Sequence, residues 1–116
     1  MKEPRERLQH TLEAIGNIDR YADRGKEAFE QDELLLSWLI RNLQIIGEAA
    51  RALPLDVRDR APAIPWPKII GMRNILVHDY VGIEPAVLWE AVEDDLPSLR
   101  REVEALLRAL DEFSGS

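Results

Sequence analysis

The chain has 116 residues, 46% of them hydrophobic, with 15 basic and 22 acidic side chains and a net charge of −7. That length supports one domain with a small core, for which dimerisation is a natural way to bury more surface. The absence of cysteine excludes disulfides, thiolate zinc sites and cysteine nucleophiles, and fits a reducing cytoplasm.

The first ten residues, MKEPRERLQH, are charged and hold no apolar run of the kind a secretory signal needs. The most apolar stretch, LLLSWLI, is too short to span a bilayer. Pro4 suits a first helical turn. Leu8, Leu12, Ile15 and Ile18 then recur at three and four residues, Tyr21 and Ala22 close the stripe, and Gly25 is a stop. A second helix is predicted from near Phe29–Asp32 to Leu53. Leu35, Leu36, Leu39, Leu43, Ile46, Ala49, Ala50 and Leu53 line one broad face, and Leu34, Trp38 and Ile45 widen it. A helix apolar over most of its girth is central, or serves both a core and an interface. Pro54 ends it.

Residues 54–67 hold four of the seven prolines and read as one long irregular connection. Pro65 or Pro67 opens a third helix carrying Ile69, Ile70, Met72, Ile75, Leu76 and Val77, with Trp66 as its anchor. Gly82 and the residues before Pro85 break it. From Pro85 a last helix places Leu88, Val92, Leu96, Leu99, Val103, Leu106 and Leu110 at steps of four and three. Pro97 is expected to kink this helix. Residues 113–116 are expected to fray. No segment alternates as a strand does. The fold class is therefore all-α: an antiparallel bundle of four to five helices forming a single domain over residues 1–116.

The chemistry concentrates in RNILVHDY, Arg73–Tyr80, which holds one of only two histidines. Histidine is the side chain best suited to move protons near neutral pH, and an arginine fork suits phosphate oxygens. Arg73 and His78 are a minimal set for metal-independent RNA cleavage. The imidazole would act on the 2′-hydroxyl or the leaving 5′-oxygen, and the guanidinium on the charge growing at phosphorus. His10 and His78 lack metal-ligand spacing, no cofactor loop is present, and neither metal nor cofactor is expected. The bland reading competes directly: a helix-end histidine often serves only as a C-terminal cap.

At about 100° per residue, positions five apart on a helix diverge by roughly 140°, while positions seven apart lie within roughly 20°. Arg73 and Tyr80 would share a face, and His78 would lie off it above Asn74. Convergence requires the helix to end near His78, or a second copy to supply part of the site. The acidic chain argues against nucleic acid as a whole. Residues 51–83, however, carry five basic and three acidic groups, the only net-positive third of the chain. A local patch can act against the net charge, though a solvated loop would look the same.

The block resembles R-x-x-x-x-H-x-Y, the pattern of the HepT-like toxins in the HEPN ribonuclease superfamily. RNLQIIGEAA (Arg41–Ala50), IPWPKIIGMRNILVHDY (Ile64–Tyr80) and GIEPAVLWEAVEDDLPSL resemble that family's second, third and fourth helices, in order, over most of residues 35–100. The resemblance implies a homodimer whose cleft joins two motifs and cuts RNA without a metal. It also implies a toxin–antitoxin pair with an MntA-type nucleotidyltransferase, which silences the toxin by transferring AMP to Tyr80. By position, Arg73 and His78 are the catalytic pair and Asn74 and Asp79 are supporting residues. Glu48 is a weaker candidate, or simply a helix-face carboxylate orienting Arg73 or another arginine. The alternative is a non-catalytic helical partner or regulatory subunit of the nucleotidyltransferase, which would not require an intact Arg73–His78 pair. A purely structural helical dimer is a third reading.

Overall fold

The computed structural model describes residues 4–79 and 84–115. Among these every regular element is helical: α1 (Pro4–Ala22), α2 (Gly25–Gln31), α3 (Glu33–Ala52), α4 (Leu55–Arg58), α5 (Trp66–Asp79), α6 (Pro85–Glu90), a π-helical turn (Ala91–Asp95) and α7 (Leu96–Gly115). The all-α expectation holds. The order of the long helices follows the apolar stripes read from the sequence.

Two local differences have clear causes. The span before the second predicted helix is itself a helix. Gly25 takes φ +87°, a left-handed turn that other residues resist, and α2 starts there. Asp32 then separates α2 from α3. Its extended backbone stops the first helix, and its Oδ1 accepts from the Leu34 N–H at 2.9 Å to cap the second. The proline-rich connection is not irregular throughout. Pro54 precedes the single turn of α4, and Val57, Ala61 and Ile64 all reach the core. Trp66 fastens this stretch: its buried indole N–H donates to the carbonyls of Arg58 (3.1 Å) and Ala61 (3.2 Å). The start of α5 is thereby fixed.

The Pro97 expectation takes a particular form. Proline has no N–H for the carbonyl four residues back, here Glu93, and its ring crowds that carbonyl. The preceding turn widens to the π pattern, in which the Leu96 N–H reaches the Ala91 carbonyl. The helix runs on through Gly115, into the span expected to fray.

α3 is the hub, packing on α1, α2, α5 and α6. It runs antiparallel to α1, as the Tyr21–Trp38 ring contact and the Asn17–Asn42 hydrogen bond show. Asn42 is buried, yet satisfied: it accepts from the Asn17 side chain at 3.1 Å and donates to the Trp38 carbonyl at 2.8 Å. α7 lies antiparallel to α1, tied at its two ends by Arg100–Asp19 and Arg5–Asp111. Leu8, Ile15, Ile18, Leu39, Leu76, Leu88 and Val103 form the fully buried centre. Among the described residues no helix is long and apolar enough to cross a membrane.

Trp66→Phe keeps an aromatic ring but removes both indole bonds, leaving the Arg58 and Ala61 carbonyls only their backbone donors. It should lower unfolding free energy by about 1–3 kcal/mol in a urea titration. A loss within the scatter of ordinary surface substitutions would show that these bonds do not anchor α5.

Candidate active site

α3 and α5 pack antiparallel and close, and the sequence shows why. Gly47 is buried at the crossing. A Cβ added there would stand 2.1 Å from the Arg73 Cβ, 2.8 Å from its Cγ and 3.2 Å from the Ile69 carbonyl oxygen. Only glycine lets α5 approach at this point, and the residue it admits is Arg73. Glycine inside a helix costs about 0.5–1 kcal/mol relative to alanine, so the close contact must offset that cost.

Polar residues three before and one after Gly47 also meet α5. Glu48 Oε2 accepts from Arg73 Nε at 2.7 Å. Gln44 Nε2 donates to the Leu76 carbonyl at 3.2 Å, in the last turn of α5. Arg73 Nη1 donates to Asn74 Oδ1 at 2.9 Å. Two of the five N–H groups of a guanidinium are thus committed, and the head is held between a carboxylate and an amide. The Arg73 side chain is only 16% exposed, against 55% for Glu48. The other Glu48 oxygen faces Arg51 Nη1 at 3.6 Å, so one carboxylate serves two arginines and the trio keeps a net positive charge.

His78 is exposed in the last turn of α5, and the helix continues through Asp79. The chain therefore does not break before His78 to swing it toward Arg73. Asn74 accepts from Arg73. It lies one turn below His78 on the same face, at a typical Cβ separation of about 5–6 Å. Its hydrogen bond to Nη1 draws the guanidinium toward that face. Asn74, a supporting residue in the sequence analysis, is thus a direct partner of Arg73. Asp79 ends α5. Tyr80 lies outside the described residues.

The triplet Ile75–Leu76–Val77 splits as a helix must, since neighbours diverge by about 100°. Leu76 is fully buried, while Ile75 and Val77 are 55% and 44% exposed. Apolar surface therefore flanks the polar site. A largely apolar pocket of about 250 Å³ lies near the other end of α5 among Leu43, Ile46, Ile64, Ile69 and Leu99. At its rim Lys68 pairs with Asp95 at 2.8 Å, and that hydrogen bond holds the Lys68 amine above its ordinary pKa. Among the described residues no group of histidine and carboxylate side chains is arranged to hold a metal.

A family model described as "Ribonuclease HepT-like" matches residues 11–106. The chain belongs to the HepT-like ribonuclease family. It is 37% identical over 109 residues to "Putative RNase TTE0752" of Caldanaerobacter subterraneus subsp. tengcongensis, covering 93% of this chain and 97% of that one. It is 38% identical over 100 residues to "Probable ribonuclease HepT" of Thermococcus cleftensis, covering 85% and 91%. It is 36% identical over 105 residues to "Gamma-glutamylcyclotransferase and putative RNase MJ0434" of Methanocaldococcus jannaschii, where it covers 90% of itself and 47% of the longer protein. No solved structure matches it.

Gly47 and Gln44 were not among the residues singled out from the sequence of this HepT-like chain. The signal was present: a glycine inside an otherwise strong helical pattern, with polar residues three before and one after it. Gly47→Ala forces α3 and α5 apart at Arg73. It should destabilise the fold by on the order of 1–3 kcal/mol, read as a lower midpoint in chemical denaturation. An unchanged midpoint would mean that the two helices are not tightly seated there.

Proposed function

We propose that this chain is a metal-independent endoribonuclease, acting as a homodimer and as the toxin of a toxin–antitoxin pair. The observation that carries the reading is the held guanidinium of Arg73, fixed by Glu48 and Asn74 one helical turn from a solvent-facing histidine. A fixed arginine suits a pentacoordinate phosphorus, where charge grows only in the transition state. His78, exposed and in the last turn of α5, is free to meet a ribose.

The chemistry balances as transesterification. His78 takes the proton of the 2′-hydroxyl, and the 2′-oxygen attacks the adjacent phosphorus. The bond to the 5′-oxygen breaks, that oxygen takes a proton from a second acid, and a 2′,3′-cyclic phosphate remains. One described chain offers one histidine at this place. The second proton carrier is the partner copy's imidazole, and the exposed Ile75 and Val77 beside His78 supply apolar surface for that partner. Asp79 is a supporting residue by its position in the motif.

Regulation falls on Tyr80. A cognate MntA-type nucleotidyltransferase in the same cytoplasm transfers AMP from ATP to its hydroxyl, releasing pyrophosphate. The added phosphate is an anion that competes for an arginine meant for RNA, and the adenosine adds bulk. The competing reading, a catalytically silent partner of the nucleotidyltransferase, has no use for a guanidinium held in this way.

The test is incubation of the unmodified protein with end-labelled RNA in excess chelator, beside His78→Ala at equal concentration. Cleavage by the wild type alone, leaving cyclic-phosphate ends, is expected. AMP transfer by the nucleotidyltransferase to the peptide holding Tyr80, followed by mass spectrometry, should then abolish it. A folded, unmodified wild type that cuts nothing favours the silent partner, and His78→Ala cutting at the wild-type rate removes the assigned role.

A further inference from the structure

Beyond the motif, the α3 face beside α5 carries its own pattern. Ser37, Arg41, Gln44, Glu48 and Arg51 recur at steps of three and four, so they form one stripe along the helix. Its direction relative to α5 is fixed by two contacts, Gln44 with Leu76 and Glu48 with Arg73. By that antiparallel register Arg41 is level with the His78–Asp79 end of α5, and Arg51 lies beyond Arg73 on the other side. The two arginines are about 15 Å apart along α3, from the rise per residue.

Their charges are unused or weakly used. Arg41 is exposed and makes no ion pair or hydrogen bond with a described residue. Arg51 is 55% exposed and meets Glu48 only at 3.6 Å, a pair that contributes little in solvent. Glu48 is the one acidic group on the stripe, and its shorter bond is to Arg73. On a chain of net charge −7 this is a line of positive potential running through the candidate site. Beside Arg41, an open depression of about 260 Å³ is lined by Ser37, Ile40 and Gln44. It offers an apolar wall and hydrogen-bonding groups, a surface against which a nucleoside can lie.

We infer that this stripe is the track for a single-stranded RNA backbone, with Arg41 and Arg51 contacting the phosphates on either side of the one held by Arg73. The inference rests on the ribonuclease reading and specifies its substrate. The strand is single because in-line attack by the 2′-oxygen needs a backbone free to rotate, which an A-form duplex restrains. Binding then spans several nucleotides, and affinity grows with length past the scissile step.

The test uses fluorescein-labelled 2′-O-methyl oligouridylates of two and six nucleotides, which cannot be cut because the 2′-oxygen is blocked. Anisotropy titrations over a range of KCl compare wild type, Arg41→Gln and Arg51→Gln. Glutamine preserves helix propensity, and far-UV circular dichroism checks the fold. Each substitution should weaken hexanucleotide binding several-fold and reduce the ratio of hexanucleotide to dinucleotide affinity. Each should also flatten the slope of log K against log salt by about 0.7, the value for one lost contact on a single strand. Annealing the hexanucleotide to its complement should weaken binding. Unchanged slopes in both variants, or a wild type that does not bind the hexanucleotide, would overturn the track. Equal binding of the duplex would overturn the claim for a single strand. Binding is read without cleavage, so a wild type that binds as described but never cuts RNA would overturn the ribonuclease reading alone.

Discussion

The close approach of α3 and α5 at Gly47 is the constraint on which the site depends. With no Cβ at that position, α5 seats its Arg73 Cβ against the backbone of α3. Glu48, next in sequence, is then in reach of the Arg73 Nε, and Gln44, one turn earlier, reaches the Leu76 carbonyl in the last turn of α5. Three positions of one helix face thus do three things: admit the arginine, orient it and tie down the helix end that carries His78. The bonds are individually modest, about 0.5–1.5 kcal/mol for a neutral pair and more for one to a charge. Their combined effect is positional. A guanidinium held in place needs little rearrangement when negative charge develops before it.

The rest of the chain keeps that crossing in register. α1 is pinned to α3 by the Asn17–Asn42–Trp38 network, so α3 cannot slide along it without leaving a buried amide unpaired. Trp66 fixes where α5 begins, and the buried Val57, Ala61 and Ile64 hold the proline-rich stretch against the core. The π-turn before Pro97 lets the chain from Pro85 to Gly115 continue as one rod past a residue that would otherwise interrupt it. The carboxylates are sparse along this crossing: residues 34–83 hold four of the 22, while Arg41, Arg51 and Arg73 lie on α3 and α5.

Much of this was legible in the sequence. The four long helices were, because their apolar residues repeat at three and four and their ends carry proline or glycine. The motif was legible as a family pattern, and the match of the HepT-like ribonuclease model over residues 11–106 spans it. Glu48 was legible as an arginine partner and proves to hold two. What periodicity could not give was the interhelical register. Gly47 reads only as a weak spot in a helix until α5 is laid across it, and Asn74 reads as surface until Arg73 bends to it. The separate α2, cut from α3 by a single capping aspartate, and the helical turn inside the proline-rich stretch were missed because short segments carry too few periodic positions. Likewise, helical angles placed Arg73 and His78 on diverging faces and gave no sign that the Arg73 guanidinium bonds to Asn74.

The most direct measurement mixes wild type with an inactive copy. Wild type and His78→Ala are each purified, combined in equal amounts, exchanged through mild denaturation and refolding, and assayed for RNA cleavage in chelator. Where the site joins two copies and needs both imidazoles, a mixed dimer holds one histidine and is inactive. The mixture should then keep about a quarter of the activity of the same total amount of wild type carried through the same exchange, the share of dimers with two intact chains. A mixture that keeps about half, as independent sites would, would contradict the two-chain site and confine the chemistry to a single α5.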